Sequence, residues 1–380
     1  TDTADRLESD LFREDEGSKP QSGWRNTADG APFGEKDLSL QSDTAFSYGY
    51  SQLSGDEEQL YREILNSLIS YQEETELSVK DPEMVERVFR YVMADHPEIF
   101  YADGYEVTTY RLGTELRRIT FTGTWTLESD EVLSRRAQLE AAAALWLEGL
   151  PDGTDDFEKA KYIYDALILR TEYEQGSADS QTICSVLLNQ RSVCQGYAKT
   201  FQYLCQLAGI PAMLVTGDVN GEGHAWNIVF LDGDWYYIDP TWGDASYQRE
   251  EGEETPALTE TVNYDYFCVT TQEIERTHSM DDNQLLPVCN AVQDQYYRHE
   301  GLYLQSADKE KIDEIFARAA QKGAPMVCFQ CADDTVYQEV YRLLIEEQGI
   351  FAYLPESETT AAYLDSDRER TFYFWFTEVS

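Results

Sequence analysis

Hydrophobic positions first recur in a regular pattern just after Gly55. Leu60, Tyr61, Ile64, Leu65, Leu68 and Ile69 repeat at helical spacing. Asp81-Pro82 then offers an N-cap followed by proline at the first helical position, and Val85, Val88, Phe89, Val92 and Met93 mark one face of a second helix. His96-Pro97 ends it, because the residue before proline disfavours the helical region. Two strands are expected at Tyr105–Leu112 and Glu115–Leu127, turned by Gly113-Thr114. Helices are expected over Ser129–Glu148, stopped by Gly149, and over Asp155–Arg170, where Phe157, Ala160, Ile163, Tyr164, Leu167 and Ile168 share a face.

From Tyr197 another helical stripe runs through Phe201, Leu204, Cys205 and Ala208, and Gly209 and Pro211 stop it. Two apolar strands follow, His224–Leu231 and Trp235–Asp239, around the turn signal Asp232-Gly233. The last eighty residues alternate strand and helix: Leu302–Leu304, Asp308–Gln321, Met326–Cys331, Thr335–Gln348 and Thr371–Val379. By contrast, Arg13–Lys36 is rich in Gly, Ser, Pro and acidic residues and shows almost no apolar period, which predicts a disordered leader or tether. No internal repeat of fixed period is present.

With 380 residues and 42% hydrophobic positions, the chain is long enough for two or three globular domains. Its 72 acidic against 29 basic residues give a formal charge of -43, read as a solvated acidic surface. Such a surface repels phosphates, so neither nucleic acid nor an anionic membrane face is an expected partner. No apolar run approaches the roughly 18 residues that span a bilayer, so no integral membrane segment is expected. The chain begins at Thr1 without a signal-like apolar region. The expectation is an extracellular or cell-surface-anchored protein whose N-terminal signal has been removed, with a cytoplasmic location as the alternative. Seven cysteines at irregular spacing do not form a disulfide framework.

One of those cysteines stands in a different setting from the rest. Cys194 falls at the start of the stripe that begins at Tyr197, so it sits at a helix N-terminus. Unpaired amides and the helix dipole there stabilise a thiolate and can donate to a developing oxyanion. Cys205, inside the stripe, acts as a small hydrophobe. In the hairpin, pairing of Leu231 with Asp234 sets Asp239 opposite Trp226, and Trp226 shares a strand face with His224. His224 and Asp239 then become diagonal neighbours roughly 7 Å apart at the backbone, within side-chain reach. A longer loop would shift the register by one residue and separate them. An imidazole held by a carboxylate is the ordinary base partner of a nucleophile.

Three segments, Ser-Val-Cys-Gln-Gly-Tyr-Ala-Lys, Gly-His-Ala-Trp-Asn and Trp-Tyr-Tyr-Ile-Asp-Pro-Thr-Trp, resemble the three blocks of the bacterial transglutaminase-like superfamily, in that order and about 30 and then about 15 residues apart. The stretch His96–Tyr101 and the stretch Tyr264–Phe267 resemble flanking elements of its Gram-positive members. The resemblance implies a papain-related triad with Cys194 as nucleophile, His224 as general base and acid, and Asp239 as orienting carboxylate. It implies an α+β fold in which the cysteine-bearing helix packs on an antiparallel sheet, flanked by an N-terminal α/β extension and a small C-terminal α/β domain.

The expected divisions are a leader at 1–54, an N-terminal α+β region at 55–150, the transglutaminase-like core at 151–295 and a C-terminal domain at 296–380. The expected activity is thiol-dependent hydrolysis or acyl transfer on peptide or protein amides, without metal or organic cofactor. A non-catalytic cell-surface binding module on the same fold is the alternative. Gln181, Gln190 and Tyr173 are candidates for a second oxyanion donor, and Trp226 and Trp242 for the walls of a substrate groove. Cys328 and Cys331 are read as core, because an offset of three on a strand sends them to opposite faces. His278 and His299 lie near acidic residues without metal-ligand spacing, and the acidic run Arg249–Glu254 reads as a solvated loop.

Overall fold

The structure, a computed structural model, describes residues 3–8 (backbone only), 47–150, 153–244, 262–354 and 361–375. The chain divides into two compact units, Thr1–Thr241 with Thr270–Asn290, and Trp242–Val269 with Ala291–Ser380.

The first unit opens with β1 (Thr3–Glu8), α1 (Tyr48–Ser51), α2 (Asp56–Ile69), β2 (Thr75–Glu76), α3 (Pro82–Asp95), β3 (Ala102–Leu112) and β4 (Glu115–Trp125). The four strands form a sheet in the order β1-β3-β4-β2. Strand β1 falls within the stretch expected to be a leader and pairs with β3; residues 9–46, which hold most of that stretch, lie outside the described residues. Helix α3 begins as expected, with the Asp81 carboxylate accepting the Glu83 and Met84 amides ahead of Pro82. Its Phe89 packs against Tyr105 and Phe121 of the sheet.

Next come α4 (Ser129–Leu147), α5 (Asp156–Arg170), β5 (Glu172–Tyr173), α6 (Ile183–Asn189), β6 (Arg191–Ser192) and α7 (Cys194–Leu207). Then follow β7 (Ala212–Val219), β8 (Glu222–Leu231), β9 (Asp234–Ile238), α8 (Thr271–Ile274) and β10 (His278–Met280). The sheet β10-β7-β8-β9 is antiparallel throughout. Helix α7 packs on it through Ala198 against Leu214 and Ala225. Asn227, buried in β8, donates its side-chain amide to the Ala198 carbonyl at 3.0 Å and ties strand to helix. The fold is therefore α+β, with the Cys194 helix on an antiparallel sheet.

The β8–β9 turn has the expected register. Leu231 pairs with Asp234, and Asp232 and Gly233 both have positive φ, 48° and 101°. A two-residue turn of this kind matches the twist of the strands it joins. The pairing runs on to Asn227 opposite Ile238 and delivers Asp239 to the end of β9.

The second unit contains α9 (Tyr296–His299), β11 (Tyr303–Leu304), α10 (Lys309–Lys322), β12 (Met326–Cys331), α11 (Asp334–Tyr341), β13 (Ala362–Ser366) and β14 (Thr371–Trp375). Its sheet order is β11-β12-β14-β13, with β11 parallel to β12. Cys328 and Cys331 join separate apolar clusters, as the offset of three requires. The helix expected over Thr335–Gln348 changes character at Arg342. A π-helical turn covers Arg342–Glu346, and Gln348 in the left-handed region ends it. Val340 and Leu344 remain buried across the change. The expected strand end beyond Trp375 and the run Arg249–Glu254 lie outside the described residues.

Candidate active site

Helix α7 begins at Cys194 itself. Val193 precedes it in extended conformation and has no side-chain acceptor to offer. The Gly196 amide donates to the Val193 carbonyl at 3.0 Å, which leaves the Cys194 and Gln195 amides as donors beside the thiol. Two features fix this start. Strand β6 pairs in parallel with β5, which holds the chain up to Ser192. The Ser192 hydroxyl sits 2.7 Å from the Ser185 hydroxyl and donates to the Ser180 carbonyl at 2.9 Å. Gly196 lies against this serine cluster, and a Cβ there would stand 1.9 Å from the Ser192 oxygen. Only glycine lets the helix start approach so closely. Cys194 is half-buried, whereas the other six cysteines are buried and all seven are free thiols.

His224 is buried on β8 and its Nε2 lies 2.8 Å from Asp239 Oδ2. Cys194 stands close enough to this ring to help raise its pKa. Asp239 is wholly buried. Its Oδ1 accepts the Thr241 amide at 2.9 Å, and its backbone carbonyl accepts the Tyr164 hydroxyl at 3.3 Å. The structure thus brings Cys194, His224 and Asp239 together.

Burial alone would raise the pKa of the Asp239 carboxyl and lower that of the His224 imidazolium. The charge on His224 and hydrogen bonds from His224 and His278 override the first effect and hold Asp239 well below the usual carboxylate range. The Asp239 charge, with the hydrogen bond to Asp239 and the neighbouring Cys194 thiol, overrides the second and pushes His224 up to about 10.

The residue that sequence reasoning passed over is His278. Its Nε2 lies 3.0 Å from the same Asp239 Oδ2, and its side chain has no exposed surface. Proximity to acidic residues and helical spacing were the wrong signals to weigh. The informative one is the short strand His278–Met280, which pairs with β7 and carries the ring to the site.

Trp226 is fully buried beneath the imidazoles, stacked on His224 at 5.8 Å and edge-on to His278 at 4.8 Å between centroids. Tyr173 packs against Tyr197 of α7 at 6.2 Å. Gln181 and Gln190 are exposed, the latter in the left-handed cap that ends α6. Trp242 belongs to the second unit, where it packs edge-on against Tyr266. His299 also lies in the second unit, 3.6 Å from Glu300.

His224, Asp239 and His278 are the grouping among the described residues with donors close enough for a metal ion, all within 4.8 Å of one another. The 2.8 and 3.0 Å spacings onto a single carboxylate oxygen are hydrogen-bond distances. No helix among the described residues is long and apolar enough to cross a membrane.

Residues 147–240 match the family model of the transglutaminase-like superfamily, a match that takes in Cys194, His224 and Asp239. Among particular proteins, it is similar to the kyphoscoliosis peptidase of Homo sapiens, 33% identical over 111 residues. That match covers 25% of this chain and 17% of the relative's length. Of solved structures, a crystal structure of a TGase matches with 14% identity and a TM-score of 0.28, over 38% of this chain and 46% of that one. The periplasmic domain of TgpA from Pseudomonas aeruginosa matches with 15% identity and a TM-score of 0.24, over 40% and 76%.

Proposed function

We propose that the chain is a thiol-dependent hydrolase or acyltransferase that acts on peptide or protein amide bonds through an acyl-enzyme on Cys194. One observation carries this reading. The half-buried cysteine, at a helix start, stands beside an imidazole whose Nε2 is held by a buried carboxylate.

In this mechanism the Cys194 sulfur attacks the amide carbonyl, and the free amides at the start of α7 hold the oxyanion. Gln181, Gln190 or Tyr173 supplies the second donor. His224, as imidazolium, protonates the departing amine, and the acyl group stays on sulfur. His224 then deprotonates the acceptor, water or an amine, which releases the acyl group and restores the thiolate–imidazolium pair. Asp239 keeps His224 oriented throughout and stabilises it whenever it is the imidazolium. Trp226 excludes water beneath the ring. The substrate is a neutral or basic peptide, since the acidic surface disfavours polyanions.

The test combines a peptide library, mass spectrometry and an alkylating agent. Acyl adducts on Cys194, and alkylation of Cys194 that falls at least about tenfold in His224→Ala, are expected. Product formation with added primary amine distinguishes transfer from hydrolysis. An acyl group trapped on any other residue, or alkylation indifferent to His224, sinks the thiol-enzyme reading and leaves a binding module.

A further inference from the structure

We propose that His278 is a positioning residue of this site, the donor that holds the Asp239 carboxylate in the orientation His224 requires; its effect on the thiol rests on the function proposed for Cys194.

The way His278 arrives argues for a dedicated role. Strand β10 pairs with the end of β7, on the side away from β8. To meet Asp239 beyond the end of β9, the ring must reach across β7. On β7, Gly217 stands opposite both His224 and Met280, so the shared face of three strands carries no side chain at its centre. A Cβ at Gly217 would lie 2.0 Å from the Ser279 carbonyl oxygen and 2.8 Å from the Trp226 ring. The vacancy is filled by Trp226, which stacks on His224 and meets His278 edge-on. The His224 and His278 rings stand 5.5 Å apart, so the three rings form one cluster whose two imidazoles meet the Asp239 carboxylate.

The hydrogen bonds give the cluster a direction. The Thr277 hydroxyl lies 2.7 Å from His278 Nδ1. An ionised carboxylate only accepts, so the ring proton belongs on Nε2, which faces Asp239 Oδ2 at 3.0 Å; the Thr277 hydroxyl, which also reaches the Ile274 carbonyl at 3.4 Å, can then donate to Nδ1. His278 therefore donates a hydrogen bond to the carboxylate, and the proton stays on its own ring. Asp239 receives His224 and His278 on Oδ2 and the Thr241 amide on Oδ1. With that third donor the carboxylate cannot swing about its last bond without leaving a buried imidazole N–H unpaired.

The test pairs nitrogen-15 histidine NMR of the full chain with alkylation kinetics. Four histidines make assignment by single substitution practical. The unaltered protein should show His278 as the Nε2–H tautomer, with a slowly exchanging downfield proton that moves in Asp239→Asn. His278→Phe keeps an aromatic ring against Trp226 but removes the donor, and should slow Cys194 alkylation about tenfold. His278→Gln, whose amide nitrogen can stand near the ring Nε2, should recover to within about threefold of the parent. A role in packing alone predicts the reverse order, with Phe tolerated and Gln impaired, and that order overturns the proposal. So does an Nδ1–H tautomer, which is read on the unaltered chain even if a variant does not fold. If Cys194 of the unaltered chain is inert while the NMR bond is present, the thiol-enzyme reading fails and the hold on Asp239 stands.

Discussion

Asp239 in the first unit and Asp265 in the second are both buried and both accept several hydrogen bonds, yet they are driven in opposite directions. Asp265 Oδ1 receives the Tyr297 hydroxyl at 2.6 Å and the Tyr373 hydroxyl at 3.0 Å, and Oδ2 receives Thr371 at 3.0 Å. Burial pushes its pKa up to about 6, and the hydroxyls offset that only in part. Asp239 is more deeply buried but has imidazole donors, and the charge on His224 holds it far down. Asp95 repeats the second pattern within the first unit. Burial pushes it up to about 6 despite His96, the Gly49 and Tyr50 amides and the Tyr61 hydroxyl. Burial and hydrogen-bond number alone do not decide the character of a carboxylate; a cationic partner hydrogen-bonded directly to it does, as His224 is to Asp239, whereas the His96 ring beside Asp95 bonds Glu98 instead. Asp265 and Asp95 are polar crosslinks, whereas Asp239 keeps a charge that the proposed chemistry uses.

The largest expected effect follows from replacing each by asparagine. At Asp239 all three named partners are N–H donors. Either orientation of an Asn amide therefore sets N–H against N–H. Asp239→Asn should cost about 3 kcal/mol of stability and lower turnover on the order of 10³-fold. Asp265 faces hydroxyls, which rotate to accept as well as donate, so Asp265→Asn should cost under about 1 kcal/mol. Urea unfolding, followed by hydrogen exchange in peptides from each unit, measures both. Equal losses would mean that burial, not the kind of donor, controls the difference.

Gly217→Ala comes next and attacks only the Asp239 side of the comparison. The added carbon must displace either the β10 backbone or the Trp226 ring. Overpacking of this kind costs about 1–3 kcal/mol, and loss of the His278 contact should slow Cys194 alkylation about tenfold. Protection of the Phe372–Trp375 amides in the second unit should stay as it was. A variant with normal alkylation and normal exchange in β10 would show that the close approach at Gly217 carries no strain.

The comparison also predicts opposite responses to acid. Asp265 binds its proton more tightly in the folded chain, at about 6 against an ordinary 3.8. Its contribution is full below about pH 4 and is lost as the pH rises through about 6. Between pH 8 and pH 5 the second unit should gain about 1.4 kcal/mol, read as protection factors in Phe372–Trp375, and Asp265→Asn should flatten that gain. Asp239, held low, contributes above about pH 4 and loses the contribution as the pH falls further. His224, raised to about 10, contributes below its ordinary value of 6.5 and loses the contribution as the pH rises through about 10. A second unit that weakened from pH 8 to pH 5 would contradict the assignment of Asp265.

What could be read in advance divides along the same physical line. The Cys194 helix start and the Asp232-Gly233 turn are local, so spacing and turn chemistry placed Cys194, His224 and Asp239 with the right register. The Asp81-Pro82 cap and the split of Cys328 from Cys331 were legible for the same reason. His278 was not, because it lies 39 residues beyond Asp239 and reaches it through strand pairing at the far edge of the sheet. The Asp265 cluster was equally hidden: Tyr297 and Tyr373 are 32 and 108 residues away from it along the chain. The π-helical turn at Arg342–Glu346 interrupts a good helical pattern with no local breaker inside it.

The smallest expected effect tests the hydroxyl side of the comparison at one atom. Tyr297→Phe keeps the ring, which packs edge-on against Tyr296 at 5.3 Å, and removes only the oxygen. That oxygen lies 2.6 Å from Asp265 Oδ1 and 2.6 Å from the Tyr373 hydroxyl. The single Tyr373 proton is shared between Asn263 Oδ1 at 2.8 Å and Asp265 Oδ1 at 3.0 Å, so it can shift wholly to Asp265 and make up part of the loss. The stability cost should therefore be about 1 kcal/mol at pH 8, where the ionised carboxylate most needs the donor. At pH 5 the protonated acid has less to lose, and the cost should shrink. The rise in second-unit protection on acidification then becomes steeper in the variant than in the parent, with its midpoint moved above 6. The opposite direction is equally readable. If the Asp265 proton is the one shared with Tyr297, so that the acid donates to the phenol, removing the oxygen penalises the protonated form and moves the midpoint down. Protection factors at pH 5, 6, 7 and 8 in parent and variant decide between the two, and a downward shift would show that the tyrosine hydroxyls stabilise the acid rather than its anion.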